Sequence, residues 1–75
     1  MPKLTEEERQ FMRLVFAETG GIPLKYVALP ELPMAAEALR DRGFIQLQRS
    51  GRDTWMVAIT GEGSAWAHLH LLRRH

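Results

Sequence analysis

The sequence contains no cysteine, which excludes both a disulfide framework and a thiolate zinc site as the means of holding so short a chain together. It has no apolar run approaching membrane-spanning length. Its opening, Met1-Pro2-Lys3-Leu4-Thr5-Glu6-Glu7-Glu8, lacks the apolar stretch of a signal peptide. A cytoplasmic protein with no membrane partner is expected. An excess of one charge is missing too: the formal net charge is +1, so bulk electrostatics selects no class of partner. Catalytic equipment is sparse. The only serines are Ser50 and Ser64, every histidine lies within the last eight residues, and there is no glycine-rich phosphate loop. These features point away from an enzyme and imply no cofactor.

What is present is the composition of a folded domain, with 45% hydrophobic and 25% charged residues. At 75 residues the chain is expected to form one domain spanning 1–75, close to the size below which a single apolar core cannot hold a fold. Charge is unevenly spread. Residues 1–39 carry Lys3, Arg9, Arg13 and Lys25 against six glutamates, a local charge of −2. Residues 40–75 carry Arg40, Arg42, Arg49, Arg52, Arg73 and Arg74 against Asp41, Asp53 and Glu62, a local charge of +3.

Thr5-Glu6-Glu7-Glu8 fits a capping box, and three glutamates suit the positive end of a helix dipole. Apolar residues at helical spacing follow, and Gly20-Gly21 supplies a stop, predicting a helix over about residues 5–19. Between prolines 23, 30 and 33 the segment Leu24-Lys25-Tyr26-Val27-Ala28-Leu29 reads as a short helix from about Pro23 to Leu29. An extended conformation around Tyr26-Val27 is the alternative. Met34 to Arg42 consists almost entirely of strong helix formers, with Ala35, Ala38, Leu39 and Arg42 on one face, and Gly43 ends it.

The period then changes to two. Phe44 to Arg49 places Ile45 and Leu47 on one side, and Thr54 to Thr60 aligns Trp55, Val57 and Ile59. The pair predicts a β-hairpin with a polar tip at Ser50-Gly51-Arg52-Asp53. A last helix is expected from about Glu62 to Arg73, with Ala65, Trp66, Leu69 and Leu72 as its buried stripe. It is apolar over more of its circumference than one small core requires, which predicts a partner.

Helix, short helix, helix, strand, wing, strand, helix is the order of winged helix-turn-helix domains. Leu39-Arg40-Asp41-Arg42-Gly43-Phe44-Ile45 resembles the junction by which their recognition helix enters the first wing strand. Val57-Ala58-Ile59-Thr60-Gly61-Glu62-Gly63 is similar to the segment leading out of the wing in MarR- and PadR-type regulators. The resemblance covers about residues 36–67. It implies an α+β fold with a three-helix helix-turn-helix core, a two-stranded wing and a C-terminal helix.

That fold implies binding of double-stranded DNA in transcription regulation. Arg49 and Arg52 flank the hairpin tip, where a wing contacts phosphates, and Arg40 and Arg42 end the recognition helix, where they also suit the helix dipole. Lys25 and Tyr26 can add backbone contacts. Met34-Ala35-Ala36-Glu37 lacks the polar side chains that usually read bases early in such a helix, which points away from base-specific readout there. A homodimer is expected through Phe11, Leu14, Trp66, Leu69 and Leu72. His68 and His70 are two apart on a helix and point to different faces, so no metal site is expected. The alternative function is a winged-helix module that binds protein, as adaptor, inhibitor or subunit.

Overall fold

Backbone hydrogen-bond capping sets the first element where the sequence predicts it. The computed structural model describes residues 3–71, and α1 spans Glu6–Thr19. The Thr5 hydroxyl accepts from the Glu8 N–H at 3.2 Å while a Glu8 carboxylate oxygen accepts from the Thr5 N–H at 2.8 Å, so each residue satisfies a donor the helix leaves open. Gly20 stops the helix at φ 68°, a left-handed conformation without steric cost only for glycine.

The segment after α1 overturns the predicted short helix. Residues Tyr26–Leu29 form a strand, β1, paired antiparallel to a later strand, with Tyr26 opposite Ala58 and Leu29 opposite Trp55. One local and one long-range cause defeat a helix. Leu24 has φ 65°, which breaks any helical run begun at Pro23, and its N–H donates to the Ile59 carbonyl at 2.8 Å, drawing the chain onto the sheet. The burial pattern then has period two: Val27 and Leu29 are half-buried, Tyr26 and Ala28 exposed. The extended alternative around Tyr26-Val27 is the conformation adopted.

α2 (Met34–Asp41) follows the bend at Pro30 and buries Ala35, Ala36 and Leu39. Ala36 replaces the expected Ala38 on the inner face. Gly43, at φ 81°, turns the chain into β2 (Ile45–Ser50), and β3 (Thr54–Ile59) returns antiparallel with Ile45 opposite Ile59 and Ser50 opposite Thr54. The hairpin therefore forms as predicted, but inside a three-stranded sheet of order β1-β3-β2. Directly paired residues share a face. Val27, Leu29, Ile45, Leu47, Trp55, Val57 and Ile59 consequently face the helices, and Phe11, Met12, Val15, Leu39 and Phe44 complete the core.

α3 (Gly61–His70) docks through its smallest residues. It buries Gly63, Ser64 and Ala67, whereas the expected stripe is not buried: Ala65 and Leu69 are exposed and Trp66 is half-buried. Leu72 and Arg73, expected in this helix, lie outside the described residues. The reason is close backbone approach. A Cβ at Gly63 would stand 2.1 Å from the Phe44 carbonyl oxygen, and the Ser64 hydroxyl donates to the Gly21 carbonyl at 2.9 Å. Larger side chains on that side would hold the helix away from the sheet.

The result is a small α+β domain of three helices and a three-stranded antiparallel sheet. The expected pair of helices joined by a short turn is absent from the described residues, since β1 intervenes between α1 and α2. Among the described residues no helix is long and apolar enough to cross a membrane. Gly63→Ala is expected to lower stability by about 3 kcal/mol, because backbone must move to admit the methyl group. Gly61→Ala, whose Cβ meets nothing within 4 Å, should leave it nearly unchanged. Urea unfolding midpoints of the two variants compare them directly.

Candidate nucleic-acid interface

The tip of the hairpin is exposed, and the start of α2 stands opposite Leu47 and Trp55 on its helix-facing side. Between them lies a groove of about 290 Å³ lined by Leu32, Pro33, Met34, Glu37, Arg40, Leu47 and Trp55. Its lining mixes apolar side chains with charged ones. Its charged lining groups are Glu37 and Arg40, both from α2; Arg49 is outside the lining but is paired across the strands with Trp55, which belongs to it. Arg52 is exposed in the tip one turn beyond. Arg49 thus neighbours, through Trp55, the groove that Arg40 lines, and Arg52 follows it in the tip.

These three arginines are held differently. Arg40 makes a 3.6 Å ion pair with Asp41 in which both side chains are largely exposed, an arrangement worth at most about 1 kcal/mol. The Arg49 guanidinium is fixed on two sides. Its Nε donates to the Gly51 carbonyl at 3.4 Å and its Nη2 to the Arg52 carbonyl at 2.7 Å, and its carbon lies 5.3 Å from the centre of the Trp55 ring. Arg52 contributes that carbonyl.

Arg42 and Lys25 are not part of this arrangement. The Arg42 side chain, 19% exposed, reaches back to Glu8, 10% exposed, at 4.0 Å, so it ties the end of α2 to the first turn of α1. Lys25 precedes β1 next to Tyr26, whose partner on β3 is Ala58; the tip lies at the opposite end of that strand, beyond Thr54. Tyr26 itself is engaged across the outer sheet face, its hydroxyl donating to the Gln46 side-chain carbonyl at 2.8 Å. Sequence reasoning missed the exposure of Met34, at 87%, and the cation–π contact of Arg49 with Trp55.

Of the residues expected at a dimer interface, Phe11 is buried inside the domain, while Leu14 and Leu69 are exposed. Phe11 is 5% exposed and belongs to the domain's own core, which corrects its assignment as an interface residue. Trp66 packs against Phe44 at 5.6 Å between ring centres and under Arg9 at 5.9 Å. Leu14, 44% exposed, borders a shallow groove with Glu7, Gln10, Phe11 and Pro33. Leu69, 60% exposed, is on α3, which meets α1 along the other flank through the edge-on contact of His68 with Phe16 at 5.4 Å. Leu72 lies outside the described residues. Among the described residues no three His, Asp or Glu side chains are grouped to hold a metal ion; His70 stacks near Trp66 at 5.0 Å, away from His68.

Arg42→Ala leaves a largely buried Glu8 carboxylate without this cation, and is expected to cost about 1–2 kcal/mol. Arg52→Ala, at an exposed tip, should change stability by less than about 0.5 kcal/mol. Thermal melting of both variants measures the difference. Compared with known protein families, curated proteins and solved structures, the chain matches none.

Proposed function

We propose that this domain binds double-stranded DNA as a transcriptional regulator of winged-helix type, working in the cytoplasm and gripping the phosphate backbone through Arg40, Arg49 and Arg52. The observation that carries the reading is that Arg49, beside the hairpin tip, is paired across the strands with Trp55, which lines the same groove as Arg40. A helix followed directly by an antiparallel hairpin with an exposed polar tip supports the same reading. The domain departs from the family pattern in having a strand where the first helix of a helix-turn-helix pair would stand. Base readout is minor on this view. Around Arg40, the exposed residues of α2 are Met34, Glu37 and Asp41, and arginine-to-phosphate contacts orient a protein without reading sequence.

One observation favours a second reading. The apolar part of the groove lining, Leu32, Pro33, Met34, Leu47 and Trp55, can receive a side chain of a protein partner. Salt separates the two. Three neutralised phosphates predict that the logarithm of DNA affinity falls against the logarithm of salt concentration with a slope of about −3, or about 40-fold between 50 and 200 mM. An apolar protein contact changes little over that range.

Titration of a fluorescein-labelled duplex at both salt concentrations makes the measurement. Arg40→Ala should reduce the slope by about one, and Lys25→Ala should leave it unchanged. Absence of binding at low salt ends the DNA reading.

A further inference from the structure

We propose that Trp55 and the two tip carbonyls hold Arg49 as a pre-set fork for a single phosphate group, so that the orientation of its guanidinium, and not only its charge, sets the strength of the contact. This rests on the DNA reading above and names the residues that prepare its central contact.

A guanidinium has five N–H donors in a rigid plane. In Arg49 the Nε–H and one Nη2–H point along the same edge, and that edge is used by the Gly51 and Arg52 carbonyls. The adjoining edge, formed by Nη1 and the second Nη2 hydrogen, is not taken by either of these bonds. Two parallel N–H groups on one edge match two oxygens of a phosphate. The guanidinium carbon lies over the Trp55 ring, 5.3 Å from its centre, a cation–π contact that adds to the two hydrogen bonds in limiting the rotation an exposed arginine otherwise keeps.

The cross-strand register produces this arrangement. Arg49 and Trp55 are directly paired on the same face of the hairpin, and the tip between Ser50 and Thr54 is short enough for the side chain to reach its carbonyls. Trp55 is itself half-buried against the core, so the platform is anchored. Trp55 is a positioning residue on this account, and Arg49 is the group that meets the phosphate.

Lysine substitution separates orientation from charge, because an ammonium keeps the charge but has neither the planar fork nor the stacking face. Duplex affinity is measured at low salt for Arg49→Lys, Arg49→Ala, Arg52→Lys, Trp55→Phe and Trp55→Leu, with melting temperatures recorded for each. Arg49→Lys is expected to bind about tenfold more weakly than the parent chain, close to Arg49→Ala, while Arg52→Lys stays within about twofold. Trp55→Phe, which retains an aromatic face, should keep most of the affinity that Trp55→Leu loses, with both variants folded at the assay temperature. If Arg49→Lys binds DNA as well as the parent, charge alone acts and the fork is overturned while the DNA reading stands. If the parent chain binds no duplex even at low salt, both fall together.

Discussion

The Thr60 hydroxyl lies where the end of α2, the start of β2, the end of β3 and the start of α3 converge, and the geometry of the groove depends on the bonds it makes. It donates to the Gly43 carbonyl at 2.6 Å and accepts from the Gly63 N–H at 3.0 Å, while the Thr60 N–H donates to the Phe44 carbonyl at 3.0 Å. The Phe44 N–H in turn donates to the Leu39 carbonyl at 3.0 Å, closing the end of α2. One side chain therefore caps α3 and pins the α2–β2 corner. The angle at which α2 meets the hairpin, and hence the distance between the Arg40 wall and the Trp55 wall, follows from that corner. The missing Cβ of Gly63 is the steric condition for it, since only a bare Cα can lie so near the Phe44 carbonyl.

Elements whose signals are local were legible in the sequence. The capping box at Thr5 and Glu8, the glycine at 20 and the two-residue period on either side of the tip each express a short-range preference that the fold does not oppose. β1 was not legible as a strand because four residues between prolines carry too little periodicity to separate strand from helix, and the deciding influence is β3, about thirty residues away. The inward face of α3 was misread for a related reason. Periodicity ranks side chains by hydrophobicity, and here α3 approaches so closely that smallness counts for more: Gly63, Ser64 and Ala67 are inside, and Leu69 is out.

The same division runs through the candidate site. That Arg49 shares a face with Leu47 is implied by the strand period, and pairing it with Trp55 needed only the hairpin register, so their contact was within reach of the sequence. The attachment of Arg42 to Glu8 was not, because it joins two helices far apart in the chain whose relative placement comes from packing. Arg40 and Arg42, two residues apart and similar on paper, therefore end in different roles.

How strongly each arginine is bound within the domain decides what it can offer outside. The Arg42–Glu8 pair is mostly shielded from water, and separating it would strand a carboxylate in a poorly solvated place. The Arg40–Asp41 pair is open to solvent, with side chains 49% and 73% exposed, so water and salt already compete for it and a phosphate can replace the aspartate at little cost. On the opposite side of the sheet, Tyr26 and Gln46 join over Ala58, which is fully buried beneath them, and the neighbouring Ala28, Gln48 and Met56 bring no charge. With one sheet face neutral and Arg42 turned toward Glu8, the charges around the groove and the hairpin tip are Arg40, Arg49 and Arg52 together with Glu37, Asp41 and Asp53. An anionic partner would meet arginines interleaved with carboxylates, so its grip would depend on how each guanidinium is held and not on an excess of charge.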